Sequence, residues 1–201
     1  MVSPHLTSRY FLSASIPDPR REPVYYETAD LTAIREAITA ISTVTLKRGE
    51  LVFGDHPAIS PLVLIVASVL DAADRVRIFQ SEFFRDEIPP ESRAFQHLVW
   101  TPRIGADRDA SLRELRQTMI ATGGFAAAFF IGGMENVEEE FFLFRKQWPN
   151  VPAFPIASTG AAARRLLDRW ATSLPFLSPD RVQELRDDLV YAALFERLLE
   201  R

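Results

Sequence analysis

The sequence predicts a three-layer α/β fold: a mostly parallel sheet flanked by helices, closed by a long C-terminal helix. Three observations point to it. Short apolar runs alternate with stretches of helical periodicity along the whole chain, which implies crossover connections between parallel strands. The run FAAAFFI (125–131) is apolar on both alternating faces, as in a central parallel strand covered on each side. No repeat or low-complexity tract interrupts the alternation.

Each element follows from a local pattern. RYFLSAS (9–15) reads as the first strand, and IPDPRREP after it as a Pro-rich loop. A helix is predicted over 28–41, where Leu31, Ile34, Ala37, Ile38 and Ile41 share one face. ELVFG (50–54) is a second strand. SPLVLIVASVLDAAD (60–74) then starts as a helix, with Ser60 placed to cap and Pro61 at the first helical position. RVRIFQS (75–81) and HLVWT (97–101) are strand-like, separated by the loop FFRDEIPPES. That loop offers Phe83, Phe84 and Arg85 either as a base-stacking lid or, the favoured reading, as side chains that hold a long loop down. In DASLRELRQTMIAT, Ser111 precedes Glu114 by three residues, a capping-box pattern. After the central strand come a helix over 136–147, a strand in VPAFPIAS, a helix in GAAARRLLDRW and a final helix over 180–199.

Composition excludes several classes. The 201 residues suffice for one sizeable core. With 47% hydrophobic and 25% charged residues the chain has the mix of a soluble globular domain. A formal charge of −4 argues against broad binding to nucleic acid or an anionic membrane. No cysteine is present, so disulfides and thiolate metal sites are excluded, and His5, His56 and His97 lack metal-ligand spacing. No metal and no cofactor is expected. The N-terminus lacks the pattern of a secretion signal, and no apolar stretch reaches the ~20 residues of a membrane span; the expected setting is the cytoplasm.

In open parallel sheets, ligands sit beyond the carboxyl ends of the strands, where the strand order reverses. Four turns qualify. They are Ser13–Ala14–Ser15, Gly54–Asp55–His56, Gly132–Gly133 with Met134, Glu135 and Asn136 after it, and Ser158–Thr159–Gly160. Small residues there let backbone N–H groups approach a ligand, and the helix N-termini that follow favour phosphate. A tight strand-to-helix turn in any α/β domain also favours glycine. His56 reads equally as a ligand contact and as a satisfied histidine.

Two charged residues carry a double reading. Arg116, on the helix before the central strand, is either an anion partner or a solvated surface residue, and Arg113 shares its face. Glu139 has a good structural reading: with Asn136 as cap it would stand at the third helical position and close a capping box. Glu138 and Glu140 would face elsewhere and favour the positive helix end.

The segment RQTMIATGGFAAAFFIGGMENVEEEF resembles the Lonely Guy phosphoribohydrolases and the wider SLOG superfamily of Rossmann-like domains. Their signature, P-G-G-x-G-T-x-x-E, ends a central strand, with a required arginine on the preceding helix. Gly132 and Gly133 match the glycine pair, Glu139 matches the glutamate seven residues after Gly132, and Arg116, sixteen residues before it, falls at the arginine spacing. Ile131, Glu135 and Asn136 replace the family's proline, third glycine and threonine, and Asp55 replaces a glycine in the second turn. With GDHPAISPL and GGMENVEEEF together, the chain looks closer to SLOG domains of bacterial conflict and nucleotide-signalling systems than to the cytokinin-producing enzymes.

The resemblance implies a nucleotide-binding domain over residues 1–178, with residues 179–201 a helix packing on it or on a dimer partner. It implies a nucleotide-type ligand, NAD-derived or cyclic among the options, sensed in a signalling or antiviral defence system through an effector protein. The alternative is hydrolysis of the N-glycosidic bond of a nucleoside monophosphate. Glu139 would then stabilise a ribosyl cation-like state, and Arg116 would orient phosphate or ribose. Gly132, Gly133 and the Thr159–Gly160 turn would supply backbone donors to phosphate. A homodimer through the apolar terminal helix is also implied.

Overall fold

The computed structural model describes residues 8–200; His5 and the rest of the first seven residues lie outside that range, as does Arg201. Six strands form one sheet: β1 (Ser8–Ser15), β2 (Gly49–Gly54), β3 (Val76–Ser81), β4 (His97–Thr101), β5 (Phe125–Gly132) and β6 (Ala153–Ile156). Their order is β4-β3-β2-β1-β5-β6, and every pair is parallel. The chain therefore builds outward from β1 to β4, then crosses back to lay β5 against the other side of β1. That reversal puts the switch point between the carboxyl ends of β1 and β5, where a crevice opens.

Eight helices accompany the sheet among the described residues: α1 (Pro23–Tyr26), α2 (Leu31–Leu46), α3 (Ser60–Val69), α4 (Arg108–Ala121), α5 (Glu135–Gln147), α6 (Ala161–Trp170), α7 (Pro179–Asp187) and α8 (Tyr191–Leu199). One face of the sheet packs on α2, α3 and α8, around Leu12, Ile34, Ile38, Phe53, Phe129 and Phe195. The other packs on α4, α5 and α6, around Phe11, Met119, Phe130, Phe141 and Phe144. Adjacent residues such as Phe11 and Leu12, or Phe129 and Phe130, go to opposite layers because strand side chains alternate. Phe11 stacks on Phe144 at 5.1 Å between ring centroids, and Phe129 meets Phe195 edge-on at 5.4 Å. The Rossmann-like three-layer reading is thus realised.

Helix starts are where the structure departs from the periodicity. The first long helix runs over 31–46 rather than 28–41, because Asp30 caps it, accepting from the N–H groups of Thr32 and Ala33 at 3.0 and 2.9 Å. Ser60 does not cap α3; its hydroxyl donates to Asp55 at 2.5 Å. The Ser111–Glu114 capping box does not form either. Asp107 caps α4 from upstream, so Ser111 lies inside the helix, donating to the Asp107 carbonyl at 2.7 Å and accepting from Ile104 N–H at 2.9 Å. An aspartate one turn earlier takes the role that the serine was assigned.

The C-terminal helical segment forms in two pieces, broken at Asp188–Val190. Val190 N–H donates to the Asp188 carboxylate at 2.7 Å, and Arg197 ties back to Glu184 at 3.1 Å and to Asp188 at 2.5 Å. The break lets α8 lie against α2 and seat Leu194 and Phe195, both fully buried, in the core. The Pro-rich loop contains the single helical turn α1, and β6 stops at Ile156 before a 3₁₀ turn over Ala157–Thr159.

Phe195→Ala removes a fully buried ring from the core, so unfolding in urea should show a loss of about 3–5 kcal/mol.

Candidate functional site

The turn from β5 to α5 is built from glycine because nothing larger fits. Gly132 and Gly133 have φ of +56° and +85°. A Cβ at Gly132 would stand 2.5 Å from Ile34 Cδ1, and one at Gly133 would stand 2.3 Å from Val137 Cγ2. Both N–H groups are already used: Gly132 donates to the Thr159 hydroxyl at 2.9 Å and Gly133 to the Ser15 carbonyl at 2.8 Å. The glycine pair is therefore a hinge for the chain, and the expectation that it donates to phosphate is corrected.

The Ser158–Thr159–Gly160 turn is also internal. The Thr159 hydroxyl donates to the Ile156 carbonyl at 2.6 Å while accepting from Gly132, and it is fully buried. Gly160 lies against Thr28, whose carbonyl oxygen would be 1.8 Å from an added Cβ, and its N–H donates to Ala157 at 2.9 Å. Ser158 pairs with the Tyr191 hydroxyl at 3.2 Å. These three residues close the β6 edge and do not face the crevice.

The turn aims α5 so that its second turn meets α4. Helix α5 begins at Glu135 with Met134 at the cap position, so Asn136 is inside the helix and the Asn136–Glu139 capping box is not formed. Asn136 instead accepts from the Ser15 hydroxyl at 3.3 Å. Glu139 reaches across to Arg116, whose guanidinium forms an ion pair with it and lies 3.7 Å from Glu140. The side chains of Arg116 and Glu140 are 11% and 12% exposed, whereas Glu139 is 45% exposed. One cation thus holds two carboxyls, and only Glu139 presents to solvent.

Burial pushes the Glu140 carboxyl above its ordinary range; Ser13 and Arg116 oppose the shift and Glu139 adds to it. The Ser13 hydroxyl is shut off from solvent without a well-formed hydrogen bond, on the same side of β1 as Ser15 and Asn136.

At the end of β2, Asp55 is a structural hub as well as a cleft residue. It accepts from Ser60 at 2.5 Å, Ser92 at 2.7 Å and Gln80 at 3.1 Å, joining α3, β3 and the 3₁₀ turn before β4. A glycine could not make this junction. Burial lowers the His56 imidazole below its ordinary value, against the pull of Asp55. Its Nδ1 accepts from Ala58 N–H at 3.2 Å, which leaves the proton of the neutral ring on Nε2. Gly54 has ordinary clearance from Met119 and Leu115 and needs no glycine on steric grounds.

A cleft of about 840 Å³ opens at the carboxyl ends of β1, β2 and β3, between α4 and α5. Of the residues singled out from the sequence, Ser15, Gly54, Asp55, His56, Arg116, Met134, Glu135, Asn136 and Glu139 line it; Ser13, Gly132, Gly133, Ser158, Thr159 and Gly160 do not. Sequence reasoning missed Arg21, Gln80, Arg108, Gln117 and Phe142, all in its wall, and offered Phe84 only as the less favoured of two readings. Part of that wall was legible: Asp109, Leu112, Arg113 and Arg116 recur at helical spacing, so the Arg116 face extends back along α4. Phe84 stands with the Arg108 guanidinium 5.8 Å from its ring, while Arg85 covers Trp100 at 4.3 Å. The loop is anchored, with Ile88 and Phe95 buried beneath it, and Phe84 nonetheless lines the cleft.

The ionisable wall holds four arginines (Arg21, Arg108, Arg113, Arg116) and five carboxyls (Asp55, Asp109, Glu135, Glu139, Glu140). Near-neutrality means that an anion would be held by particular arginines rather than by a general positive field. Among the described residues no three His, Asp or Glu side chains gather as a metal-binding group. None of their helices is long and apolar enough to cross a membrane.

The model of the SLOG cluster3 family matches residues 24–199. Comparison with curated proteins and with solved structures finds no match.

Replacing Arg116 by Leu leaves Glu140 buried without its cation, so chemical denaturation should show a loss of roughly 3 kcal/mol, the lower end for a broken buried pair. Glu140→Gln should behave oppositely. Because the folded-state pKa is raised, the native carboxyl contributes stability that is full below its unfolded pKa and lost as pH rises through the folded value. Stability of the Gln variant relative to the parent should therefore increase as pH rises above about 4, near the ordinary Glu value.

Proposed function

The chain belongs to the SLOG cluster3 family, and from that premise we propose that the cleft binds a nucleotide-type small molecule as a sensing module in bacterial signalling or defence. One observation carries this reading. An arginine and a glutamate from neighbouring helices, Arg116 and Glu139, converge in a cleft at the strand-order switch point. The chemistry of the wall suits such a ligand. Carboxylates accept hydrogen bonds from ribose hydroxyls, the rings of Phe84 and Phe142 offer apolar contact for a base, and arginines match phosphate. The departures at Glu135 and Asn136 place an acid and an amide where the enzyme signature has glycine and threonine, which favours recognition over turnover.

Hydrolysis is the second reading, and the exposure of Glu139 favours it. A half-exposed carboxylate, fixed in place by Arg116, has the reach to face an anomeric carbon. In that reaction water adds at the anomeric carbon, the C–N bond breaks, and the base leaves with a proton; the carboxylate would stabilise the cation-like state between.

We extend the proposal to self-association through the C-terminal segment and to an effector protein that reads the bound state. Leu189 and Val190, at the break between α7 and α8, are 59% and 67% exposed, an apolar step suited to a second copy.

Incubation with AMP, other nucleoside monophosphates and NAD, with calorimetry for binding and chromatography for free base, separates the two readings. The sensor reading expects saturable binding without base release and at least tenfold weaker binding in Glu139→Ala. Base release that Glu139→Ala abolishes would transfer the assignment to the hydrolase, and absence of binding by every nucleotide would end both. For association, the double substitution Leu189→Asp, Val190→Asp should lower the solution mass to that of a monomer; an unchanged mass would remove this surface from consideration.

A further inference from the structure

The nucleotide reading leaves open what would hold a phosphate. The glycine-pair N–H groups are spent on Thr159 and Ser15. Arg116 is engaged by Glu139 and Glu140, so its charge is matched before any ligand arrives. Arg108 stands 3.4 Å from Asp109 and over Phe84. Two arginines of the wall remain. Arg21, from the segment between β1 and α1, and Arg113, one turn before Arg116 on α4, are exposed and make no ion pair or side-chain hydrogen bond among the described residues.

An unpaired surface arginine is ordinary. These two differ in standing on the wall of one cleft, on separate elements, where four of the five acids are engaged elsewhere. Asp55 is engaged with Ser60, Ser92 and Gln80, Asp109 with Arg108, and Glu139 and Glu140 with Arg116. That leaves Glu135 as the one acid of the wall without such a partner among the described residues. A guanidinium presents a planar fork of donors that matches two phosphate oxygens at once. Arg113 and Arg116 lie three residues apart on one helix face, so a group held by Arg113 stands one turn from Glu139.

We propose that Arg113 and Arg21 form the phosphate grip of this cleft, and that Arg116 is a positioning residue for Glu139 that does not itself meet phosphate. The assignment rests on the nucleotide reading for the ligand's identity, but the grip is a property of the two arginines alone. It orients the ligand with its phosphate or pyrophosphate toward Arg113 and Arg21 and its sugar toward Glu139 and Asn136.

The test uses inorganic pyrophosphate and orthophosphate as probes, by calorimetry at low ionic strength, on the full chain and on Arg113→Gln, Arg21→Gln and Arg35→Gln. Arg35 is an exposed arginine of α2, outside the cleft wall, and controls for the loss of one charge. Thermal melting confirms that each variant is folded. The grip expects saturable pyrophosphate binding that weakens at least tenfold in Arg113→Gln and severalfold in Arg21→Gln, is unchanged in Arg35→Gln, and falls as salt is raised. No saturable anion binding by the parent chain overturns it, as does binding that Arg113→Gln and Arg21→Gln leave intact. AMP and adenosine form a second arm. If pyrophosphate binding follows the arginines while neither AMP nor adenosine binds, the grip stands and the nucleotide reading falls. If AMP and adenosine bind equally and Arg113→Gln alters neither, the grip falls and the nucleotide reading stands.

Discussion

The positive-φ bend at Gly132–Gly133 is the constraint on which the site depends. Ile34 presses on it from one layer and Val137 from the other, while Ser15 and Thr159 take its two N–H groups. With no room for a side chain at either position, the chain leaves the central strand in one direction only. That direction fixes where α5 begins, and the start of α5 fixes which of its glutamates faces α4. A one-residue delay in the start would rotate the helix by about 100° and turn Glu139 away from Arg116. The bend thus serves the cleft at a distance, by aiming a helix, while contributing no atom to its wall.

Electrostatics then divides the cleft into committed and uncommitted groups. Arg116 is held between two carboxyls, one of them buried enough to be pushed above its ordinary range. Asp55 is consumed in joining three elements at the end of β2. What is left facing the solvent of the cleft is Glu135 and Glu139 on α5 and the arginines Arg21 and Arg113 elsewhere on the wall. A site of nearly balanced charge can still discriminate, because forks and carboxylates at fixed places recognise a particular arrangement of phosphate and hydroxyl groups. Its apolar rings, Phe84 and Phe142, come from a loop and a helix that the sheet connects only indirectly.

Packing explains why several plausible local signals did not take effect. Ser60, Ser111 and Asn136 are all good capping residues by type, and none caps. In two cases the reason is visible: Asp107 outcompetes Ser111 from one turn upstream, and Ser60 already lies inside the helix, its hydroxyl accepting from His56 N–H while it donates to Asp55. Asn136 turns to Ser15, a partner 121 residues away in sequence. The same logic splits the C-terminal segment, whose helical pattern is continuous but whose Asp188 captures Val190 N–H and breaks the ladder so that Phe195 reaches Phe129.

The sequence by itself determined the layers, the strands, the parallel sheet and the position of the central turn, because alternation and helical periodicity are written in neighbouring residues. It also carried the spacing that brings Arg116 and Glu139 together, since the crossover between them is a single strand with a tight bend. Only the tertiary structure decided which small turns open to the cleft and which are sealed into it. The fate of a backbone N–H at Gly132, or of a hydroxyl at Thr159, rests on partners brought in from other strands and helices. Arg21 and Phe142 became cleft residues for the same reason: they reach a common space from elements far apart in the chain, and no local pattern records that meeting.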